Sequence, residues 1–282
     1  MKGKQRLLLA AILCFIQTNL WAVTEVNVET AGTLSELLTS TERQLKVTGF
    51  INGSDIKFLR EKINAGAVTS LDLEGVRIVS GGEAYTENFT TQNDIIGEQM
   101  FYKCSKLVTM VLPNTVTSIK KNAFANTGIK KIDIPNSVLS VEEDAFAYCN
   151  SLATVVVGKK VKSLSKGVFY NSPVKDVYVK ALTPPSLSDY IFNSNPTIHV
   201  YESALAKYQS SSWAKFGTIV GDLTDDIIDA IKPPSISPEG ERTEVSPRGD
   251  LEGVVFDLLG RKVTDLKSGS IYIRNGKKFM VK

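Results

Sequence analysis

Phe101, Phe124, Phe146 and Phe169 recur at intervals of 23, 22 and 23 residues, and Phe192 extends the series by another 23. A period in the low twenties is too short for a free-standing domain. It fits one coil of a solenoid, a strand and turn that bury their apolar face only against a neighbouring coil. A chain built this way is expected to be a recognition scaffold rather than an enzyme with a closed pocket.

Each phenylalanine carries the same frame of apolar residues. After Phe101 come Cys104, Leu107, Met110, Leu112, Val116, Ile119 and Ala123. After Phe124 the same slots hold Thr127, Ile129, Ile132, Ile134, Val138, Val141 and Ala145. After Phe146 they hold Cys149, Leu152, Val155, Val157, Val161, Leu164 and Val168. Met110 and Leu112, Ile132 and Ile134, and Val155 and Val157 show the period-two pattern of a strand with one inward face. Pro113 and Pro135 follow two of these strands and Gly158 takes that slot in the third, so each strand stops there. The spacing predicts an α/β leucine-rich-repeat solenoid, strand-rich with a short parallel sheet, capped at both ends, plus a small C-terminal β tail. Val111, Asp133, Val156 and Tyr178 point outward and form the expected contact face. The Pro184-Pro185 insertion in the coil from Phe169 is read as the approach of the array's end.

Residues 1–22 hold basic Lys2, Lys4 and Arg6, an apolar run from Leu7 to Ile16, and a close at Leu20-Trp21-Ala22. That order is a secretory leader, with an apolar run too short to span a bilayer. The chain has 33 basic and 30 acidic residues, and the leader holds three of the basic ones, so the mature chain is formally neutral (33 − 3 − 30 = 0). Nucleic acid is therefore not an implied partner, and no transmembrane segment remains after leader removal. Cys104 and Cys149 occupy one column two coils apart, roughly 10 Å at two strand spacings. A bridge needs Cα atoms about 4.4–6.8 Å apart, so both are expected to stay reduced.

The organisation expected along the chain is a leader at 1–22, an N-terminal cap and first strand at 23–95, and the solenoid with its C-terminal cap at 96–222. A linker follows at 223–250 and a β-rich tail at 251–282. Helices are expected over Thr33–Thr39, from about Ser54-Asp55 through Ile63, and over Ala204–Trp213. Leu71-Asp-Leu73 reads as the first solenoid strand and Thr197–Tyr201 as the last. In the tail, Val254–Asp257, Ile271–Ile273 and Phe279–Val281 read as strands, with Asn275-Gly276 as a tight hairpin.

The coils, from Phe101 to Asn114 and more loosely from Phe124 to Asn136, resemble the BspA-like leucine-rich repeats of bacterial surface proteins. Ala31–Ser35, Ile51–Ile56 and Leu71–Leu73 resemble the N-terminal region of secreted members, and Thr183-Pro-Pro185 with Tyr208, Trp213, Phe216 and Ile219 resembles their closing segment. The tail, from Phe256 to Val263 with Ile271–Ile273 and Gly276–Lys278, resembles sorting domains of the type IX secretion route. The resemblance implies a Gram-negative anaerobe's outer surface and adhesion to a host extracellular-matrix or cell-surface protein.

Catalytic chemistry finds little support. His199 is the only histidine, with no nucleophile or metal partner implied by its spacing, so a structural role is expected. Glu142-Glu143-Asp144 reads as a solvated edge, and the aspartates from Asp222 to Asp229 lack the pattern of a calcium loop. No cofactor or metal is implied. For ligand contact the favoured residues are Lys131, Lys175, Asp176 and Tyr178. Arg248-Gly249-Asp250, in the expected linker, is the tripeptide that integrins read. The alternatives carried are a surface glycan-binding accessory, which would need clustered aromatics beside carboxylates, and a structural surface component.

Overall fold

The phenylalanine period becomes a stack of rings. In the computed structural model the Phe101, Phe124, Phe146, Phe169 and Phe192 rings follow one another at 5.4, 5.1, 5.7 and 5.3 Å. Their planes lie within 18° of parallel. Phe216 then meets Phe192 edge-on at 6.3 Å and ends the row. The structure describes residues 23–38 and 43–231, with the strand backbones of Val255–Phe256, Lys262–Val263, Ile271–Arg274 and Lys277–Met280. The expected leader and the Arg248-Gly249-Asp250 tripeptide lie outside the described residues.

The chain divides into two units, Met1–Gly240 and Glu241–Lys282. The first unit opens with β1 (Val23–Val28), α1 (Leu34–Leu37), β2 (Gln44–Ile51), α2 (Gly53–Ala65), β3 (Ser70–Asp72) and β4 (Val76–Ile78). From there each coil contributes to two sheets. One edge is formed by β5 (Ile95–Ile96), β7 (Ser118–Ile119), β9 (Ser140–Val141), β11 (Ser163–Leu164) and β13 (Ser186–Leu187). The other is formed by β6 (Thr109–Val111), β8 (Lys131–Asp133), β10 (Thr154–Val157), β12 (Asp176–Val179), β14 (Thr197–Val200) and β15 (Thr218–Val220). Of these, β6 completes the parallel sheet β1-β2-β3-β6, whereas β8 to β15 form a parallel sheet of their own. The β5–β13 sheet had not been expected. Its two-residue strands are too short to show any alternation in sequence.

The parallel strands run past those expected to be first and last. Before Leu71, β1 and β2 already run parallel to it, and after Val200, β15 pairs with β14. Pro184-Pro185 does not end the array: β13 follows at once, and the helix expected over Ala204–Trp213 is split into Glu202–Ala204, α3 (Leu205–Gln209) and Ser212–Lys215. The Tyr208 hydroxyl donates to Ala181 O at 2.8 Å, and Trp213 Nε1 donates to Pro185 O at 2.9 Å. The closing aromatics thus satisfy carbonyls of the insertion itself. Beyond them α4 (Asp225–Ile231) buries Ile228 inside the stretch expected to be linker.

At the other end, α2 begins one residue earlier than expected, capped by Asn52 in a reciprocal capping box with Asp55. The buried Asp55 carboxylate also accepts from Gly32 N at 2.6 Å and Leu34 N at 2.9 Å. One carboxylate thereby ties α1 to α2.

Each coil also turns left twice. Gln99, Asn122, Asp144, Gly167 and Tyr190 form one column of positive φ, and Lys103, Asn126, Tyr148 and Asn171 another, all between 55° and 68°. Such backbone suits glycine and asparagine and costs other residues about 1–3 kcal/mol.

In the second unit, β16 (Val255–Phe256), β17 (Lys262–Val263), β18 (Ile271–Arg274) and β19 (Lys277–Met280) form an antiparallel sheet in the order β17-β16-β18-β19. The Asn275-Gly276 turn lies outside the described residues.

Candidate recognition face

Parallel pairing without slippage lines residues up across the coils. One outward row runs Lys131, Thr154, Asp176, Thr197, Thr218, and the next runs Asp133, Val156, Tyr178, His199, Val220. Ile132, Val155, Val177 and Ile198 between them point into the core and are fully buried. The alternation that makes the strands therefore also fixes what the face displays.

Of the four favoured residues, Lys131, Asp176 and Tyr178 stand half-buried on these rows, and Lys175 is exposed just before β12. Val156, expected to be outward and accessible, is fully buried. Lys180 reaches back two coils to Asp133 at 3.0 Å, and this largely buried ion pair lies across the strand that carries Val156. Gly158, two residues after Val156, packs closely on the backbone of the preceding coil. A Cβ there would collide with the Pro135 carbonyl oxygen.

The partners of His199 were missed from spacing. Its ring stacks on Tyr178 at 4.3 Å and 11°. Nδ1 lies 2.9 Å from Asp222, so this nitrogen carries the proton, and Nε2 lies 3.5 Å from Asp176. The clue was present: Asp222 follows His199 by 23 residues, one repeat. Tyr201 likewise donates to Asp225 at 2.7 Å, 24 residues on. These aspartates fasten the last coil, and among the described residues no three His, Cys, Asp or Glu groups converge to hold a metal ion.

Lys131 differs from its neighbours. Burial lowers its pKa, only partly offset by Asp133, and no ion pair or hydrogen bond engages its ammonium among the described residues. Beside the face lies a groove of about 930 Å3 between the turn bearing Lys159, Lys160 and Lys162 and the segment bearing Leu182 and Pro184. Leu182 is 56% exposed. Lys180 and Tyr201 line both features, so face and groove adjoin.

Glu142 and Glu143 pair with Lys120 and Lys121 of the preceding coil at 2.5 and 2.8 Å. Cys104 and Cys149 are buried and unpaired, with Thr127 between them in the column, 3.2 Å from Cys149 Sγ.

Coils that alternate between two parallel edges around a row of stacked phenylalanines define a leucine-rich-repeat solenoid. Residues 84–199 match the family model of the BspA type leucine rich repeat region in 6 copies. No curated protein matches the chain. Among solved structures it is similar to a leucine-rich repeat protein from Bacteroides ovatus ATCC 8483, with 13% identity and a TM-score of 0.25. That match covers 66% of this chain and 59% of the other, so this chain spans less than two thirds of that protein's length. Repeat arrays of this type are scaffolds for protein–protein recognition. Among the described residues no helix is long and apolar enough to cross a membrane.

Proposed function

We propose that this is a secreted, non-enzymatic surface protein that adheres to a host matrix or cell-surface protein through its outward sheet rows. Lys131, Lys175, Asp176 and Tyr178 are the proposed contact residues. The observation that carries the reading is Lys131. Asp133 is held by Lys180 and the His199 ring by Asp222, whereas this ammonium is partly desolvated and unpaired among the described residues. Such a cation gains most from a carboxylate brought by a partner. The adjoining groove, with three lysines on one wall and Leu182 on the other, suits an acidic partner segment that also carries apolar residues.

In this reading the leader is removed at about residue 22 and the tail serves sorting to the cell surface. Arg248-Gly249-Asp250 is a second, separate route to a host receptor. The test is to pass residues 23–282 over immobilised fibronectin, fibrinogen and laminin, beside Lys131→Glu, Tyr178→Ala and Asp250→Ala variants. Saturable binding weakened about tenfold or more by Lys131→Glu and Tyr178→Ala places the contact on the sheet. Loss only with Asp250→Ala moves it to the tripeptide, and silence on all three ligands removes the adhesion reading.

A further inference from the structure

A different flank carries a second set of observations, independent of the sheet face. Tyr148, Tyr170 and Tyr190, from three successive coils, line a cleft of about 300 Å3 together with Asp144 and Lys166. We infer that this cleft is a binding subsite for a neutral oligosaccharide.

The choice of tyrosine is the first argument. Tyr148 and Tyr190 both sit in the left-handed turn columns, at φ 58° and 57°. Of the other seven places in those columns, Asn126, Asn171, Asn122 and Gly167 are the residue types such backbone favours, and Gln99, Lys103 and Asp144 fill the rest. A bulky ring there works against the local backbone, and it is not repaid by burial. Tyr148 is 43% exposed and Tyr190 64%. An aromatic ring held on such backbone and left exposed is the kind of local strain that marks a functional site.

The chemistry around the rings points the same way. Tyr148 and Tyr170 meet edge-to-face at 5.7 Å, giving the cleft an aromatic wall. Asp144 is half-buried, and no side chain among the described residues bonds its carboxylate. Burial, reinforced by Glu143, raises its pKa. Its Oδ1 fills the space that a Cβ on Gly167 would need, so glycine there makes room for the carboxylate. Ring faces for C–H groups, with a free carboxylate and phenol hydroxyls for O–H groups, match the two-sided surface of a pyranose.

Charge decides between ligand classes. Glu143 is held by Lys121, and Lys166 offsets Asp144. The Lys166 ammonium already lies over the Tyr190 ring at 5.8 Å, in the place a cationic ligand would take. What remains favours an uncharged, hydroxyl-rich ligand. The cleft volume is at the lower end of small-molecule sites. Tyr148 also lines an adjoining depression of about 480 Å3 with Asn126 and Asn150, so a chain of several sugars has a path along the flank.

The test uses residues 23–282 against soluble β-glucan, xylan, α-mannan and chito-oligosaccharides, by affinity electrophoresis and then calorimetry. At least one glycan is expected to bind. Tyr148→Asn and Tyr190→Asn should each weaken it about tenfold or more, without lowering Tm, because they install the residue that sister coils use. Lys131→Glu on the sheet face should leave glycan binding unchanged. The proposal is overturned if no glycan on the panel binds, if both asparagine variants bind like the parent, or if Lys131→Glu abolishes binding equally.

Discussion

Asp55 shows how much one side chain can organise. Its carboxylate accepts from the amides of Gly32, Leu34 and Asn52, joining two helices before the first coil begins. Asp55→Ala leaves those donors without their acceptor and should cost about 2–4 kcal/mol, read as a shift in urea midpoint at unchanged slope. The cysteines offer a chemical check on burial. Desolvation pushes the Cys104 thiol up to about 11 and raises Cys149 as well, so neither is thiolate at neutral pH. Both should resist a thiol reagent in the native protein and react fully once unfolded. The sign of the pH dependence follows. An unfolded thiol ionises near about 8.5, whereas the folded one keeps its proton, so stability falls as pH rises above that value. Thermal melts from pH 8 to 11 should show a descending Tm. Single residues were also where sequence reading failed most. The sequence pattern marks Val156 as outward but cannot show that Lys180 reaches two coils back across it. The His199 partners lay one repeat away, legible only once the repeat is treated as a spatial neighbourhood.

At the scale of elements, the phenylalanine row, the inward strand positions and the proline or glycine stops were all readable, because each rests on a spacing that sequence preserves. The β5–β13 sheet and the left-handed columns were not, since a two-residue strand has no period and a positive φ is masked when tyrosine or lysine occupies it. The row itself is testable. Phe146 is buried between two parallel rings, and Phe146→Ala should cost about 3–5 kcal/mol. Gly158→Ala adds a single methyl group yet forces it against the backbone of the preceding coil. Its expected cost is about 1–3 kcal/mol, with a shifted denaturation midpoint as the measurement.

For the molecule as a whole, each coil is completed by the next, so the ends decide solubility. The stack begins at β1, the edge strand of its sheet, and Tyr208 and Trp213, both fully buried, help close the other end. Deleting residues 201–231 uncovers the β14 edge and the end of the phenylalanine row. Light scattering should then show self-association at concentrations where the parent stays dispersed. The need for both caps was legible in the sequence; that parallel strands continue into them, as β1 and β2 at one end and β15 at the other, was not. The unbroken register of the phenylalanine row also bears on how such a gene can change length. An insertion or deletion of one full period moves every ring onto an equivalent neighbour and leaves all interlocking positions matched. One of half that length sets strands against turns. Recombination within this stretch can therefore succeed only in whole coils, lengthening or shortening the displayed surface by single steps while its edges stay the same.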